Sequence, residues 1–218
     1  IAAVKIADKR IKETYRKYSE TTLNKAFNQI LLDSEKQSRR IISKLPDGIY
    51  KAKDYIDGDG NVKNQISVQI KIQIKGSNIL FDYTGCSQAR KAPINCSLGA
   101  LTSAVKTVFK ALVEPFAPSN EGYFKPMKII IPKNTIFSAE KPSPTGWYYE
   151  GVSQASELAW KALAPLAPNR FSAGTYMSLC ATYICGNNVK NQYVHIEPQH
   201  GGWGATINRD GANALIAI

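Results

Sequence analysis

Residue types that carry metal chemistry occur together near the end of this 218-residue chain. Two cysteines and two histidines form the pattern C-x4-C-x9-H-x4-H, at Cys180, Cys185, His195 and His200. Structural zinc sites use similar pairs, but the gap between the pairs is usually longer and the histidines lie on a helix. His195 instead lies in a segment that alternates as a strand does, so the four side chains would not converge. We expect no zinc site here and an ordinary strand histidine.

A glycine-rich run and a turn pair follow: Gly201-Gly202-Trp203-Gly204 and Asp210-Gly211. A nucleotide-binding loop would need a following Lys-Ser/Thr and a helix N-terminus, or a strand–loop–helix context, and neither is present. We interpret the run as a close-packed turn that shapes a pocket wall, with Trp203 covering it. A purely structural turn is the alternative, since glycine serves both. The pocket candidates in this part of the chain are therefore His200, Gly201, Gly202, Trp203 and Asp210.

Asn95 is a further candidate because it stands at the start of a helical pattern. A helix N-terminus favours anions, so this position could hold a phosphorylated or tetrahedral intermediate. The alternative is an N-cap, a role that Asn95 or Ser97 would fill. No serine-nucleophile or metalloprotease motif is present, and Ser143 and Ser153 have no supporting His or acid nearby in sequence. The catalytic residues are therefore not identified by the sequence.

Composition and charge narrow the class of protein. Hydrophobic residues make up 44% of the chain and charged residues 21%, which is typical of a globular protein. The formal charge of +11 comes from scattered Lys and Arg residues without a nucleic-acid motif, so we expect no nucleic-acid partner. No run approaches the ~18 apolar residues needed to span a bilayer, so no membrane partner is expected. The four cysteines indicate reduced, mostly buried thiols in a cytoplasmic protein.

Residues at helical spacing in the first 45 positions predict two helices. In the first helix these positions are Val4, Ala7, Ile11, Tyr15 and Tyr18. In the second helix they are Leu23, Phe27, Ile30, Leu31, Ser34, Ile41 and Leu45. Thr21 or Thr22 can cap the start of the second helix, and Pro46 with Gly48 ends it. We therefore assign residues 1–48 to a helical segment.

The period of the apolar residues then changes to two. Alternation over residues 66–74 predicts an amphipathic strand with one solvated face, and residues 79–83 can line a return strand after a turn at 76–78. A second turn signal at 57–61 makes an antiparallel meander the expected arrangement.

Two further helices and several strands are predicted along the rest of the chain. Helical spacing covers residues 98–112 and 152–163, a short strand covers 127–131, and strands within 175–196 surround an Asn-rich turn at 186–188. Helices grouped first and strands mixed in later favour the α+β class, with N-terminal helices followed by an antiparallel β-rich region with packed helices. We assign residues 49–218 to this mixed domain.

Two blocks of sequence carry a family resemblance. The first is Phe81-Asp82-Tyr83-Thr84-Gly85-Cys86-Ser87 with Ala92-Pro93-Ile94-Asn95-Cys96, and the second is Glu197-Pro198-Gln199-His200-Gly201-Gly202-Trp203-Gly204-Ala205 with Asp210-Gly211. In this order and separation they resemble the hydantoinase B family, which includes the C-terminal half of 5-oxoprolinase and the alpha subunits of acetone and acetophenone carboxylases. The resemblance covers nearly the whole chain. His200 and the segment Trp147-Tyr148-Tyr149 depart from the family pattern, which leaves the substrate open.

The resemblance implies the B-type subunit of an ATP-dependent enzyme. In such an enzyme a hydantoinase A-type partner subunit or domain binds ATP and Mg and phosphorylates a carbonyl oxygen of a lactam, hydantoin or ketone. The B-type part, with a divalent metal, then completes ring opening or carboxylation. The family's His and Asp metal ligands lie upstream of the matched region, so the resemblance implies no metal ligand in this chain.

The same resemblance implies that this chain is an internal or truncated part of a larger polypeptide in a hetero-oligomer. It would contribute pocket walls and subunit contacts, and in isolation it would neither bind ATP nor catalyse the reaction. A noncatalytic assembly domain is the alternative. The sequence does not determine whether the substrate is a hydantoin, oxoproline, another lactam or a ketone. It also does not determine whether the reaction is hydrolysis or carboxylation.

Overall fold

The computed structural model describes residues 1–61, 63–177, 180–187 and 191–215. The helices are α1 (Ala2–Lys17), α2 (Glu20–Ile42), α3 (Leu98–Val113), α4 (Glu121–Phe124) and α5 (Tyr148–Leu163), with a short 3-10 helix at Ala164–Leu166. The strands are β1 (Gly48–Ile56), β2 (Ile66–Lys75), β3 (Asn78–Asp82), β4 (Met127–Ile130), β5 (Cys180–Asn187) and β6 (Gln192–Gln199). The predicted α+β class is confirmed. Within the described part of the chain, no helix is both long and apolar enough to cross a membrane.

The strands β1 to β4 form one sheet in chain order. β1, β2 and β3 are antiparallel neighbours, which confirms the predicted meander. β4 pairs parallel to β3. The sequence pattern did not predict this pairing, because the crossover between the two strands includes α3 and the loops around it, and alternation alone does not give strand direction.

One face of this sheet carries the hydrophobic core. The alternation in β2 buries Val68, Ile70 and Ile72, as the period of two predicts. α5 packs on β1 and β2, and α3 packs on α5. The Tyr83 hydroxyl fastens the strand side to the helix layer by donating to the Ala155 carbonyl at 2.9 Å. These two helices supply most of the side chains that line the cavity described below.

The two predicted N-terminal helices are present, and the cap of the second differs from the prediction. Ser19 caps α2, because its Oγ accepts from the Thr22 backbone N–H at 3.2 Å; the expected caps, Thr21 and Thr22, lie inside the helix. No residue of α1 is buried, and Val4 and Ile11 are 73% and 55% exposed. The apolar stripe of α1 is therefore uncovered by the described residues. The division at residue 48 stays a prediction.

The strands β5 and β6 form a separate antiparallel hairpin. Every residue of β6 is exposed. The ring of Tyr183 on β5 meets the ring of Trp147, with centroids 6.2 Å apart, which links the hairpin to the start of α5. A two-stranded ribbon alone is marginally stable in water. The predicted turn at 186–188 lies partly outside the described residues.

Candidate functional site

The glycine-rich run forms the middle segment of a short backbone ribbon rather than an isolated turn. Trp203 and Thr175 form an antiparallel bridge, and the Gly204 N–H donates to the Gly174 carbonyl at 2.9 Å. On the opposite side the Trp203 N–H donates to the Ala212 carbonyl at 2.8 Å. The run is therefore held by backbone hydrogen bonds on both sides.

Glycine is required in this ribbon because neighbouring backbone approaches closely. A Cβ on Gly204 would stand 2.3 Å from the Ala173 carbonyl oxygen, and a Cβ on Gly211 would stand 2.0 Å from another backbone oxygen. A Cβ on Gly202 would meet the Ala212 oxygen at 3.1 Å, which a small shift relieves. The tightest backbone contacts thus fall at Gly204 and Gly211, whereas the sequence directed attention to Gly202.

Trp203 lines a cavity of about 80 Å³ between the ribbon, α3 and α5. α5 contributes side chains at the spacing i, i+3, i+4 and i+7, so they share one face of the helix. The lining residues are Thr107, Val108, Ser153, Ser156, Glu157, Trp160, Thr175 and Trp203. The structure thus places Trp203 on a cavity wall. The part that this wall plays in substrate binding stays a prediction.

Glu157 fastens the ribbon to α5. Its Oε1 accepts from the Thr175 backbone N–H at 3.0 Å and from the Thr175 hydroxyl at 2.5 Å. Hydrogen bonds to a charged group are stronger than those between neutral groups. The partly buried carboxylate therefore fixes one wall of the cavity against the other.

Two tryptophans shape the aromatic side of the cavity. The Trp160 ring meets the Phe171 ring edge-on at 4.7 Å and the Trp203 ring edge-on at 6.4 Å. The Trp160 Nε1–H donates to the Ser172 carbonyl at 3.0 Å. Edge-to-face contacts and a satisfied indole N–H fix the position of the Trp160 ring. The cavity is therefore bounded by side chains in defined positions.

Ser153 is a buried polar residue on the wall of this cavity. The residue is 5% exposed, and its Oγ has no hydrogen-bond partner among the described residues. Buried polar side chains normally have a partner. The expectation that Ser153 has no acid nearby in sequence is wrong, because Glu157 stands one helical turn later and lines the same cavity.

Asn95 lies away from this cavity, and its side chain holds a loop together. Its Oδ1 accepts from the Arg90 N–H at 2.6 Å, and its Nδ2 donates to the carbonyls of Arg90, Ala92 and Pro144 at 2.8, 3.0 and 2.8 Å. Ser97 is the cap of α3, with its Oγ accepting from the Ala100 N–H. Asn95 is fully buried, and these bonds occupy its amide. A role of Asn95 toward a substrate stays a prediction without a geometric basis in this chain.

The remaining candidates lie along or beside the ribbon. Gly201 and Gly202 are partly buried within it, whereas His200 and Asp210 are exposed. Neither His200 nor Asp210 lines the cavity that Trp203 covers. The structure therefore brings Trp203 against α5 and leaves the two titratable candidates at the surface of this chain.

Asp82, in the first sequence block, is held by a salt bridge and a backbone hydrogen bond. Burial raises its pKa, but hydrogen bonds from Thr84 and Lys71 outweigh this effect and leave the pKa lowered. The Lys71 Nζ lies 2.9 Å from the Asp82 carboxylate, and the Thr84 N–H donates to that carboxylate at 3.0 Å. The Asp82 carboxylate thus joins β3 to β2 through Lys71 and stabilises the turn that follows β3.

The geometry does not fit a metal or a nucleotide within the described residues. No group of three or more His, Cys, Asp or Glu side chains in them could hold a metal ion. In the hairpin, alternation places Cys185 on the opposite face from Cys180 and His195. The glycine-rich run lies in a ribbon and does not open a helix, which a phosphate cradle would need. The expected absence of zinc stays a prediction.

The four cysteines fall into two pairs with different environments. Cys86 and Cys96 are buried free thiols, whereas Cys180 and Cys185 are exposed free thiols on the hairpin. The expectation of mostly buried thiols is therefore wrong for half of them, because no described element covers β5. Burial raises the pKa of Cys96 to about 12 and that of Cys86 to about 11. The buried pair is thus protonated at neutral pH.

Two solved enzymes share the α+β layer fold of this chain. An ATP-dependent caprolactamase from Pseudomonas jessenii superposes with a TM-score of 0.85 at 18% identity, over 99% of this chain and 38% of that one. An acetone carboxylase in its nucleotide-free state superposes with a TM-score of 0.75 at 15% identity, over 95% of this chain and 30% of that one. These likenesses show the fold.

Sequence similarity shows the family. The hydantoinase B/oxoprolinase profile matches residues 1–218, and the chain belongs to that family. A candidate B-type subunit of a D-/L-hydantoinase from Pseudomonas sp. (strain NS671) is 30% identical over 229 residues, covering 100% of this chain and 38% of that protein. An uncharacterized protein from Methanocaldococcus jannaschii is 29% identical, over 94% of this chain and 35% of its own length. The chain therefore spans less than two fifths of these relatives.

Proposed function

We propose that this chain is part of the B-type subunit of an ATP-dependent enzyme that opens a cyclic amide or carboxylates a ketone. Within that subunit it supplies a pocket wall, formed by the glycine ribbon and Trp203. The observation that carries the proposal is the match to the hydantoinase B/oxoprolinase family over the whole chain. The cavity between Trp203 and α5 supports the pocket wall.

The proposal divides the chemistry between this chain and other parts of the assembly. A hydantoinase A-type subunit or domain binds ATP and Mg, and the divalent metal of the B-type part is held by residues outside these 218. The match to the hydantoinase B/oxoprolinase family is what supports this division. The free thiols fit a cytoplasmic location.

The pocket wall is tested by a matched pair of tryptophan variants in the complete enzyme. Trp203 lines the cavity, whereas Trp147 packs on Tyr149 at 5.2 Å and on the hairpin. We expect Trp203→Leu to lower kcat/KM for the lactam, hydantoin or ketone by about tenfold or more, and Trp147→Leu to affect it much less. If both variants fold equally well and lower kcat/KM equally, the proposal that Trp203 forms a pocket wall is contradicted.

A noncatalytic assembly role is the second candidate, and the exposed apolar residues favour it. α1 has no buried residue, and Val194 and Ile196 on the hairpin are 63% and 52% exposed. Contiguous exposed apolar surface marks interaction sites. In this case Trp203→Leu would leave turnover unchanged, whereas polar substitutions of Val194 and Ile196 would weaken co-purification of the partner subunit.

A further inference from the structure

The cavity beside Trp203 offers a ligand mainly hydrogen-bond acceptors. The Thr107 hydroxyl donates to the Ser103 carbonyl at 3.1 Å, and the Ser156 hydroxyl donates to the Val152 carbonyl at 3.0 Å. The Thr175 hydroxyl donates to Glu157. A hydroxyl has one proton, so each of these three groups can offer a ligand only its oxygen lone pairs.

Glu157 and Ser153 add further acceptors to the cavity, and Ser153 also carries a hydroxyl proton. A carboxylate is acceptor-only, and Glu157 uses Oε1 for Thr175, which leaves the lone pairs of Oε2. The Trp160 N–H is taken by the Ser172 carbonyl. The buried Ser153 Oγ has no partner within the described residues and can accept or donate. The cavity is therefore rich in acceptors and calls for a ligand that donates hydrogen bonds.

Charge and aromatic rings refine the chemistry of this ligand. Glu157 is the one charged side chain among the described lining residues. Trp160 and Trp203 provide indole rings, which attract cations more strongly than other aromatic rings do. A carboxylate, acceptor oxygens and two indoles together are complementary to an ammonium group.

We propose that this cavity binds the primary ammonium group of a small organic amine, with Glu157 and Ser153 as its main ligands. A water needs roughly 10–15 Å³ of such volume. The cavity of about 80 Å³ thus has room for an ammonium group and a carbon or two attached to it.

This inference rests on the proposed function and deepens it. Hydrolytic opening of a lactam adds water across the C–N bond and leaves a carboxylate and an amine, and an alkyl amine is protonated at neutral pH. The cavity would accordingly bind the ammonium end of the ring-opened product. An ammonium site favours lactam opening over two alternatives: hydantoin opening leaves a neutral ureido group, and carboxylation of a ketone produces no amine.

The test measures binding of methylammonium chloride to the complete enzyme by calorimetry and by the shift in melting temperature, without substrate or ATP. Potassium chloride and tetramethylammonium chloride at the same ionic strength are the controls, because neither donates an N–H hydrogen bond. We expect saturable binding of methylammonium alone, weakened about tenfold by Glu157→Gln and several-fold by Ser153→Ala. The amide introduced by Glu157→Gln keeps an oxygen that can accept from Thr175, so the ribbon stays in place.

Matched substitutions outside the cavity control for general effects. Glu121 is an exposed carboxylate paired with Lys106, and Ser103 is a serine on α3 whose hydroxyl donates to its own helix. Glu121→Gln and Ser103→Ala should bind methylammonium as the wild type does. Equal binding of potassium would make this a monovalent-cation site and overturn the proposal, as would no saturable binding, which is the result for a cavity that holds only water. If the complete wild-type enzyme binds methylammonium but shows no ATP-dependent ring opening, the proposed function alone is contradicted.

Discussion

Replacing Gly204 by alanine tests the ribbon, because the effect can be worked out from neighbouring atoms. The new Cβ would lie 2.3 Å from the Ala173 oxygen and 2.6 Å from the Gly174 oxygen, where ordinary contact begins at 3.4 Å. The two segments must therefore separate by about 1 Å. That movement breaks the hydrogen bonds that join them, Gly204 N–H to Gly174 at 2.9 Å and Ala173 N–H to Ala205 at 2.8 Å.

The cost follows from these two effects. Each lost hydrogen bond costs about 0.5–1.5 kcal/mol, and overpacking costs about 1–3 kcal/mol. Breaking the bonds relieves part of the clash, so the terms do not add fully, and we expect Gly204→Ala to lower the free energy of unfolding by about 2–4 kcal/mol. Gly202→Ala is the matched control, since its Cβ meets the Ala212 oxygen at 3.1 Å; it should stay within about 1 kcal/mol of wild type.

The assay pairs stability with kinetics in the complete enzyme. Melting temperature reports global stability, and hydrogen exchange at the amides of Ala173 and Gly204 reports whether the ribbon opens locally. If the ribbon is a pocket wall, Gly202→Ala should lower turnover by more than it lowers stability. Equal destabilisation by Gly202→Ala and Gly204→Ala would refute the close-approach reasoning. Unchanged turnover of a folded Gly202→Ala enzyme would make the ribbon structural.

Three further predictions concern a buried amide and the thiols. Asn95→Ala should destabilise the protein by about 3 kcal/mol or more in urea unfolding, because it orphans buried backbone groups; Asn95→Asp should be no better, since it faces three carbonyls with a carboxylate, and a cost below about 1 kcal/mol would contradict this role. Iodoacetamide at pH 8 should alkylate Cys180 and Cys185 but neither Cys86 nor Cys96 in the isolated chain, read by mass spectrometry. Alkylation of all four thiols at once in folded protein would contradict the burial. Above pH ~9 the thiols of the unfolded chain ionise, whereas the buried pair, with pKa values of about 11 and 12, stays protonated in the folded protein. The free energy of unfolding should therefore fall as the pH rises from 9 toward 11.

Local patterns predicted the elements of this fold because short-range periodicity determines which face of a strand or helix is apolar. The alternation in β2 determined its buried face, and Ser97 was one of two caps foreseen for α3. The parallel pairing of β4 was beyond prediction, since strand direction depends on the long crossover. The exposure of α1 was also not foreseen, because an amphipathic stripe shows which face is apolar and not what covers it.

The candidate site could be predicted only in part, for a similar reason. The glycine run showed that backbone must approach backbone, but not that its neighbours are Ala173 and Gly174, about thirty residues earlier in the chain. Ser153 and Glu157 stand at i and i+4 on α5, so their shared face was available from the sequence. That Trp203 closes the cavity over this face depends on long-range contacts that no local pattern encodes.

The most direct test of the central claim is ATP consumption by the complete enzyme with and without its B-type part. Phosphate release would be followed with a lactam, a hydantoin and a ketone as substrates, alongside product formation. We predict that ATP consumption is coupled to conversion of one of these substrates and requires both the hydantoinase A-type part and the B-type part that contains this chain. Full substrate conversion without the B-type part, or conversion that is independent of ATP, would contradict the account.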